Sequence, residues 1–293
     1  MWITKNVFII LFKLFWYIIK SLFLKLHIIE NDGEELRKNT NKTCITWIGQ
    51  ATCLIQMDGV NILTDPIWAK HLAGIKRYSV PGISIENLPE IDLILISHAH
   101  KDHLDMKTIK NLIKYKKINE GSTIITEKTV IPLLKKFDLH KIGGEEGDVI
   151  NFKGLKIHLV GIKHWGARLI FDNHRKATGF VIEGTKKIFF PGDTAYSDSM
   201  KKIGHNFSLD IALLPIGDYL PSYFRKAAHM SPQEAVMAVE DLNAKKCIPI
   251  HWGTFKFSDD DMFEPIKDLE KYSSLNNNHH KFQILIPGDS SWE

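Results

Sequence analysis

Leu93-Ile94-Leu95-Ile96-Ser97-His98-Ala99-His100-Lys101-Asp102-His103-Leu104-Asp105 decides the reading of this chain. Four apolar residues predict a buried strand, and behind them three imidazoles and two carboxylates crowd into residues 98–105. His98, His100, Asp102 and His103 have the spacing of a dinuclear metal site. His98 and His100, two apart, point the same way if the strand geometry continues. Asp102 and His103 then reach a second ion as the chain turns toward a helix that Asp105 caps. Imidazole nitrogen and carboxylate oxygen suit Zn²⁺, with manganese or iron as alternatives.

A closed site needs further ligands, and three residues stand just past other apolar strands. His164 follows residues 155–162, and His251 follows residues 247–250. Asp193 closes a hairpin made of residues 179–183, the turn Gly184-Thr185 and residues 186–190. An earlier hairpin has the same form: residues 52–57, the turn Asp58-Gly59, then residues 60–64 ending at Asp65. Asp-Gly between alternating apolar runs is a strong hairpin signal. The repeated device, a hairpin whose second strand delivers an aspartate, predicts two related halves that feed one rim.

Helices alternate with these strands. Met106, Ile109, Leu112 and Ile113 predict a helix over 105–117, and a second is expected over 128–137 despite Pro132. Ser231-Pro232-Gln233-Glu234 is a capping box with proline at the first helical position, opening a helix to about Asn243. The fold class is α/β (α+β): two mixed sheets with helices on their outer faces.

With 293 residues, 44% of them hydrophobic and 25% charged, the chain can bury a full core. A net charge of +4 is too small to argue for nucleic acid. Cys44, Cys53 and Cys247 form no CxxC pair, which argues against a disulfide framework and for a reducing compartment, hence a cytoplasmic catalytic domain. Residues 7–26 (VFIILFKLFWYIIKSLFLKL) are long enough to span a bilayer. Lys13 and Lys20 share a helix face, which makes an interfacial helix the first alternative; an apolar arm packed on the protein itself is the second. The organisation expected is a hydrophobic anchor over 1–30, a polar linker over 31–43 and one large domain carrying the metal-ligand candidates over 44–293.

The order HxHxDH, His, Asp, His resembles the metallo-β-lactamase fold superfamily, and within it the N-acyl-phosphatidylethanolamine-hydrolysing phospholipase D group. Trp47-Ile48-Gly49-Gln50-Ala51-Thr52, Leu63-Thr64-Asp65-Pro66, Lys163-His164-Trp165, Pro191-Gly192-Asp193-Thr194, Leu213-Leu214-Pro215-Ile216-Gly217, His229-Met230-Ser231-Pro232 and His251-Trp252-Gly253-Thr254-Phe255 carry the likeness. It covers residues 44–257. The resemblance implies a four-layer αββα sandwich with two zinc ions at one edge. His98, His100 and His164 would hold the first ion and Asp102, His103 and His251 the second, with Asp193 bridging. His229 matches a histidine that lines the active site without being a primary ligand.

This chain departs from the group at three places. Gln50 stands where the family often has His, a change expected to spare the chemistry. The segment 69–80 is short, and 175–179 lacks a customary aromatic; both are expected to bear on lipid preference.

The implied chemistry is hydrolysis of a phospholipid phosphodiester at a membrane, by hydroxide generated between two zinc ions. Asp102 serves as ligand first, and His229 would donate a proton to the leaving alkoxide or bind phosphate. Tyr219, Tyr223 and Phe224, near Pro221 and Arg225, are candidates for a lipid-contacting loop. Two alternatives stand beside this reading: a hydrolase of a soluble ester, lactone or phosphodiester, and a membrane-tethered metal-binding protein without activity. Oligomeric state is open, a homodimer included.

Overall fold

In the computed structural model, which describes residues 15–19, 31–39, 42–168 and 172–293, period-two alternation sorts the strand residues onto two faces. The strands are β1 (Cys44–Gly49), β2 (Thr52–Met57), β3 (Val60–Thr64), β4 (His71–Leu72), β5 (Ile75–Lys76), β6 (Leu93–Ile96), β7 (Thr123–Glu127) and β8 (His140–Gly144). They continue with β9 (Val149–Phe152), β10 (Leu155–Val160), β11 (Gly179–Glu183), β12 (Lys187–Phe190), β13 (Ile211–Pro215), β14 (Lys246–Ile250) and β15 (Ser290–Trp292). One sheet runs β15-β1-β2-β3-β6-β7-β8, the other β14-β13-β12-β11-β10-β9, with β4-β5 as a small separate ribbon.

Ile55, Ile62, Leu95 and Ile125 of the first sheet share a core with Leu155, Ile157, Phe180 and Phe189 of the second. Their sequence neighbours Leu54, Leu63, Ile94 and Ile124 face the other way, against Ile109 and Leu112 of the helix Met106–Lys114 and Leu134 of Ile131–Leu134. Helices Ser199–Asn206, Pro232–Asp241 and Glu264–Leu275 add Met200, Val239 and Leu269 to the core of the second sheet. Helices thus flank a pair of sheets.

The expected echo is real. β1-β2-β3 pair antiparallel and continue in parallel through β6 and β7; β10-β11-β12 do the same and continue through β13 and β14. Asp58 (φ 52°) and Gly59 (φ 76°) both take the left-handed backbone of the tight β2–β3 turn. The Asp58 carboxylate accepts the Thr185 N–H at 2.7 Å, tying this turn to the Gly184-Thr185 turn of the other sheet. This clamp holds the end of the sandwich opposite the metal-ligand candidates.

Several boundaries differ from the sequence reading. The strand before the HxHxDH run stops at Ile96, so the histidines leave from irregular backbone. The helix expected over 128–137 shrinks to Ile131–Leu134, with Pro132 in its first turn, where its missing N–H costs nothing. The stretch expected as a linker contains the helical turn Glu34–Lys38, whose Leu36 is buried in the core. All three cysteines are buried and unpaired.

The expected membrane segment, 7–26, lies outside the described residues apart from helical 15–19. There Tyr17 is buried and its hydroxyl donates to Asp259 at 2.6 Å, while Phe15 and Trp16 are exposed. Among the described residues no helix is long and apolar enough to cross a membrane.

Candidate metal centre

Strand direction builds the site. β3, β6, β10, β12 and β14 all run toward the same edge, and their following residues deliver Asp65, the HxHxDH loop, His164, Asp193 and His251 there. This is the edge at which open α/β sheets collect ligands. Gly192 (φ 65°) is required: a Cβ there would lie 2.2 Å from Ser97 Oγ, separating Asp193 from the loop it must meet.

All seven expected ligands converge as two groups that share one member. His98, His100, His164 and Asp193 offer donor atoms within 4.8 Å of one another, and so do Asp102, His103, Asp193 and His251. In the first group His98 Nε2 and His164 Nε2 lie 2.8 and 3.3 Å from His100 Nδ1. In the second, His103 Nε2 is 3.2 Å from Asp193 Oδ2 and 3.4 Å from Asp102 Oδ2, and His251 Nε2 is 3.1 Å from Asp193 Oδ1. Ligands held about 2.0–2.2 Å from one ion stand about 3 Å apart, so these spacings fit a coordination shell. A second sign agrees: buried His103 Nε2 and Asp193 Oδ1 have no hydrogen-bond partner among the described residues. The site is able to bind metal ions.

Outer partners aim the rings. His164 Nδ1–H donates to the Ala228 carbonyl at 2.8 Å, turning Nε2 inward. Asp65, fully buried, accepts from Ser97 N–H (2.7 Å), Ser97 Oγ–H (2.5 Å) and His103 Nδ1–H (2.7 Å). Ser97 Oγ in turn meets His98 Nδ1 at 2.8 Å. Asp65, His98 and His103 also form a tight donor cluster, but hydrogen bonds fill it, and it backs the site rather than opening onto it. From outside, Arg168 Nη1 donates to the carbonyls of Ala99 (2.9 Å) and Leu104 (2.8 Å), bracing the loop.

The two groups differ in charge. Burial pushes His98, His100 and His164 down, His164 to about 4, so these rings are neutral and ready to ligate. Burial also opposes charge on His103 and His251, but Asp193 foremost, with Asp102, outweighs it and raises both. Burial would lift Asp102 and Asp193 as well, yet His103 holds them well below the usual carboxylate range. Without an ion, protons on the second group balance its carboxylates. A dication must displace them, so its affinity there falls as pH falls, about tenfold per unit for each proton displaced. The first group, whose three rings burial keeps neutral, has fewer protons to displace and is less sensitive to pH. Stepwise acidification of the metal-loaded protein is therefore expected to release metal from the second group before the first. Metal analysis that finds both ions lost together would contradict this asymmetry.

Two residues stood outside the expected ligand set. His229 is buried beside the cluster, its Nδ1 3.9 Å from Asp193 Oδ2. Gln50, expected to be bland, puts its side-chain amide against Asp102 and His251. Of the suggested lipid loop, Tyr223 is 87% exposed, but Tyr219 is buried with its hydroxyl on Asp268 (2.9 Å) and packs beneath the loop. The Phe224 side chain lies outside the described set.

A family model described as a beta-lactamase superfamily domain matches residues 60–252. The chain is 36% identical over 234 residues to N-acyl-phosphatidylethanolamine-hydrolyzing phospholipase D 1 of Caenorhabditis elegans, covering 72% of this chain and 64% of that one. It is 28% identical over 251 residues to a mitochondrial protein of the same description from Saccharomyces cerevisiae, covering 77% of this chain and 50% of the yeast one. This chain thus spans less than two thirds of either protein. Among solved structures, Igni18, a metallo hydrolase from Ignicoccus hospitalis, superposes with a TM-score of 0.65 at 22% identity, over 86% of this chain and 99% of that one.

Proposed function

Because the chain belongs to the beta-lactamase superfamily, we propose that it is a zinc-dependent phosphodiesterase of phospholipase D type. Its substrate would be an N-acyl-phosphatidylethanolamine-like lipid, and its products phosphatidic acid and an N-acylethanolamine. The observation that carries this reading is the pair of donor groups sharing Asp193 at one sheet edge. The descriptions of the nematode and yeast relatives supply the substrate class, and the apolar stretch 7–26 suits an enzyme that meets lipid at a membrane surface.

His98, His100, His164 and Asp193 would hold one ion, and Asp102, His103, His251 and Asp193 the other. Two such ions supply Lewis acidity toward a phosphoryl oxygen and make water nucleophilic near neutral pH. The chain's own residues do the rest. Arg225 Nη1 lies 3.4 Å from His229 Nε2, and a guanidinium can only donate. His229 Nε2 is therefore the acceptor, and the proton of the neutral ring sits on Nδ1, facing the cluster. Burial first, with cationic neighbours such as Arg225, keeps that ring neutral. His229 Nδ1–H is so placed to donate to a phosphoryl oxygen or to the departing alkoxide. Trp165, stacked on His164 at 5.0 Å and half exposed, and Tyr223, beside Arg225, offer aromatic faces to lipid near the site.

The test is hydrolysis of N-acyl-phosphatidylethanolamine in mixed micelles by the zinc-loaded full chain. Release of both products, lost on chelation and restored by zinc, is expected. Turnover of soluble esters, lactones or phosphodiesters with none of lipid would transfer the site to the alternative chemistry.

A further inference from the structure

Gln50 sits in the turn between β1 and β2, on the same edge as the metal-ligand candidates, and its backbone has little freedom. It takes the left-handed conformation (φ 55°), and its N–H donates to Thr254 Oγ1 at 2.8 Å. Its carbonyl accepts from Trp47 Nε1–H and from the His251 N–H, both at 2.9 Å. Gln50 and His251 are thereby locked together through the main chain. The residue is 2% exposed, so its amide cannot swing out to solvent.

The end of that amide lies 2.7 Å from His251 Nε2 and 3.1 Å from Asp102 Oδ2. Those two atoms belong to the second donor group; the Asp102 spacing falls within the 3.1–3.5 Å that separate His251 Nε2 and His103 Nε2 from the carboxylates of the same group, and the His251 spacing is shorter still. The amide terminus therefore occupies a corner of the same polyhedron. To ligate an ion His251 Nε2 must present its lone pair, and an amide N–H directed at it would compete with that ion. A 180° turn of the terminal amide puts Oε1 at this corner, and a carbonyl oxygen is a hard neutral donor.

We propose that Gln50 is an additional ligand of the second metal position, through Oε1, an inference that rests on the two-ion reading above. The consequence is an asymmetric pair. The first position keeps three imidazoles and one carboxylate, whereas the second gains an oxygen and a fifth donor residue. Oxygen donors suit harder ions, so the second position is the one that would accept Mn²⁺ beside Zn²⁺.

Stepwise titration of the metal-free full chain with Zn²⁺ and with Mn²⁺, against a competing chelator, tests this without an activity assay. The wild type is expected to take two ions. Gln50→Ala should weaken the second by about 10–100-fold and leave the first within about twofold. Gln50→Glu places a charged oxygen at the same corner and should bind the second ion at least as tightly as the wild type. A second affinity in Gln50→Glu as weak as that expected of Gln50→Ala would overturn the assignment. An unchanged second affinity in Gln50→Ala also overturns it, and if that variant disturbs folding the Glu arm still decides. A wild type that binds fewer than two ions sinks the dinuclear reading itself, an outcome distinct from either variant result.

Discussion

Replacing Asp193 by Asn is expected to lower hydrolysis by about a thousandfold or more and to cut the bound metal from two ions to one at most. Removal of a single electrostatic stabiliser from an active site commonly costs about 10²–10³ in turnover. Asp193 should exceed that, because its two oxygens face different partners: Oδ1 His251 at 3.1 Å, Oδ2 His103 at 3.2 Å and His164 at 3.9 Å. An amide keeps one neutral carbonyl and turns the other position into a donor, so it cannot serve both groups. The fold should survive. Breaking a buried ion pair usually strands a charge, at a cost of about 3–5 kcal/mol. Here the partners are imidazoles whose raised pKa depends on Asp193 foremost among their charged neighbours, so with the carboxylate gone they shed their protons. Metal analysis, the lipid assay and a thermal melt of the metal-free protein read the three parts separately. Two retained ions with activity within about tenfold of wild type would refute the shared-ligand role.

How much of this was legible in the sequence depended on whether the signal was local. The HxHxDH run, the Asp-Gly turn and the Ser231 capping box are each written within a few residues, and the structure forms all three, the box with both its reciprocal bonds. His164, Asp193 and His251 were readable because each follows an apolar strand, and strand direction is what gathers them. Other residues were opaque because their meaning depends on distant partners. Arg168 braces the HxHxDH loop through two main-chain carbonyls, which no side-chain pattern marks. Gln50 looked like a lost histidine, since its approach to His251 is set by main-chain bonds across about two hundred residues. The reach of the strand past Ile96 was misjudged for a related reason. His98 and His100 meet through different ring nitrogens, Nε2 and Nδ1, which irregular backbone permits and a regular strand would not need.

Asp65 was noticed only as the echo of Asp193, yet the Asp65→Asn substitution is expected to be among the most damaging in the chain. Its carboxylate receives His103 Nδ1–H at 2.7 Å, and that bond leaves Nε2 free to face Asp102 and Asp193. Asparagine retains the shape and one acceptor. If its carbonyl stays on the Ser97 N–H, its amino group confronts His103 Nδ1 and drives the imidazole proton to Nε2. The nitrogen that must bind the ion is then blocked, and second-ion affinity should fall by about 100-fold, the upper range for a partner that orients a ligating histidine. Asp65→Ala acts differently. It strips acceptors from Ser97 N–H, Ser97 Oγ–H and His103 Nδ1–H at a site with no exposure, so it should cost several kcal/mol of stability, on the order of 1–3 per stranded group. The contrast is the decisive measurement: nitrogen shifts of the His103 ring by NMR, taken at a pH where the ring is neutral, beside denaturant melts of both metal-free variants. An Asn variant that keeps the Nδ1–H tautomer and the second ion would mean that Asp65 only fills space. A switched tautomer in a protein that still melts near wild type would show that this aspartate works by aiming one lone pair.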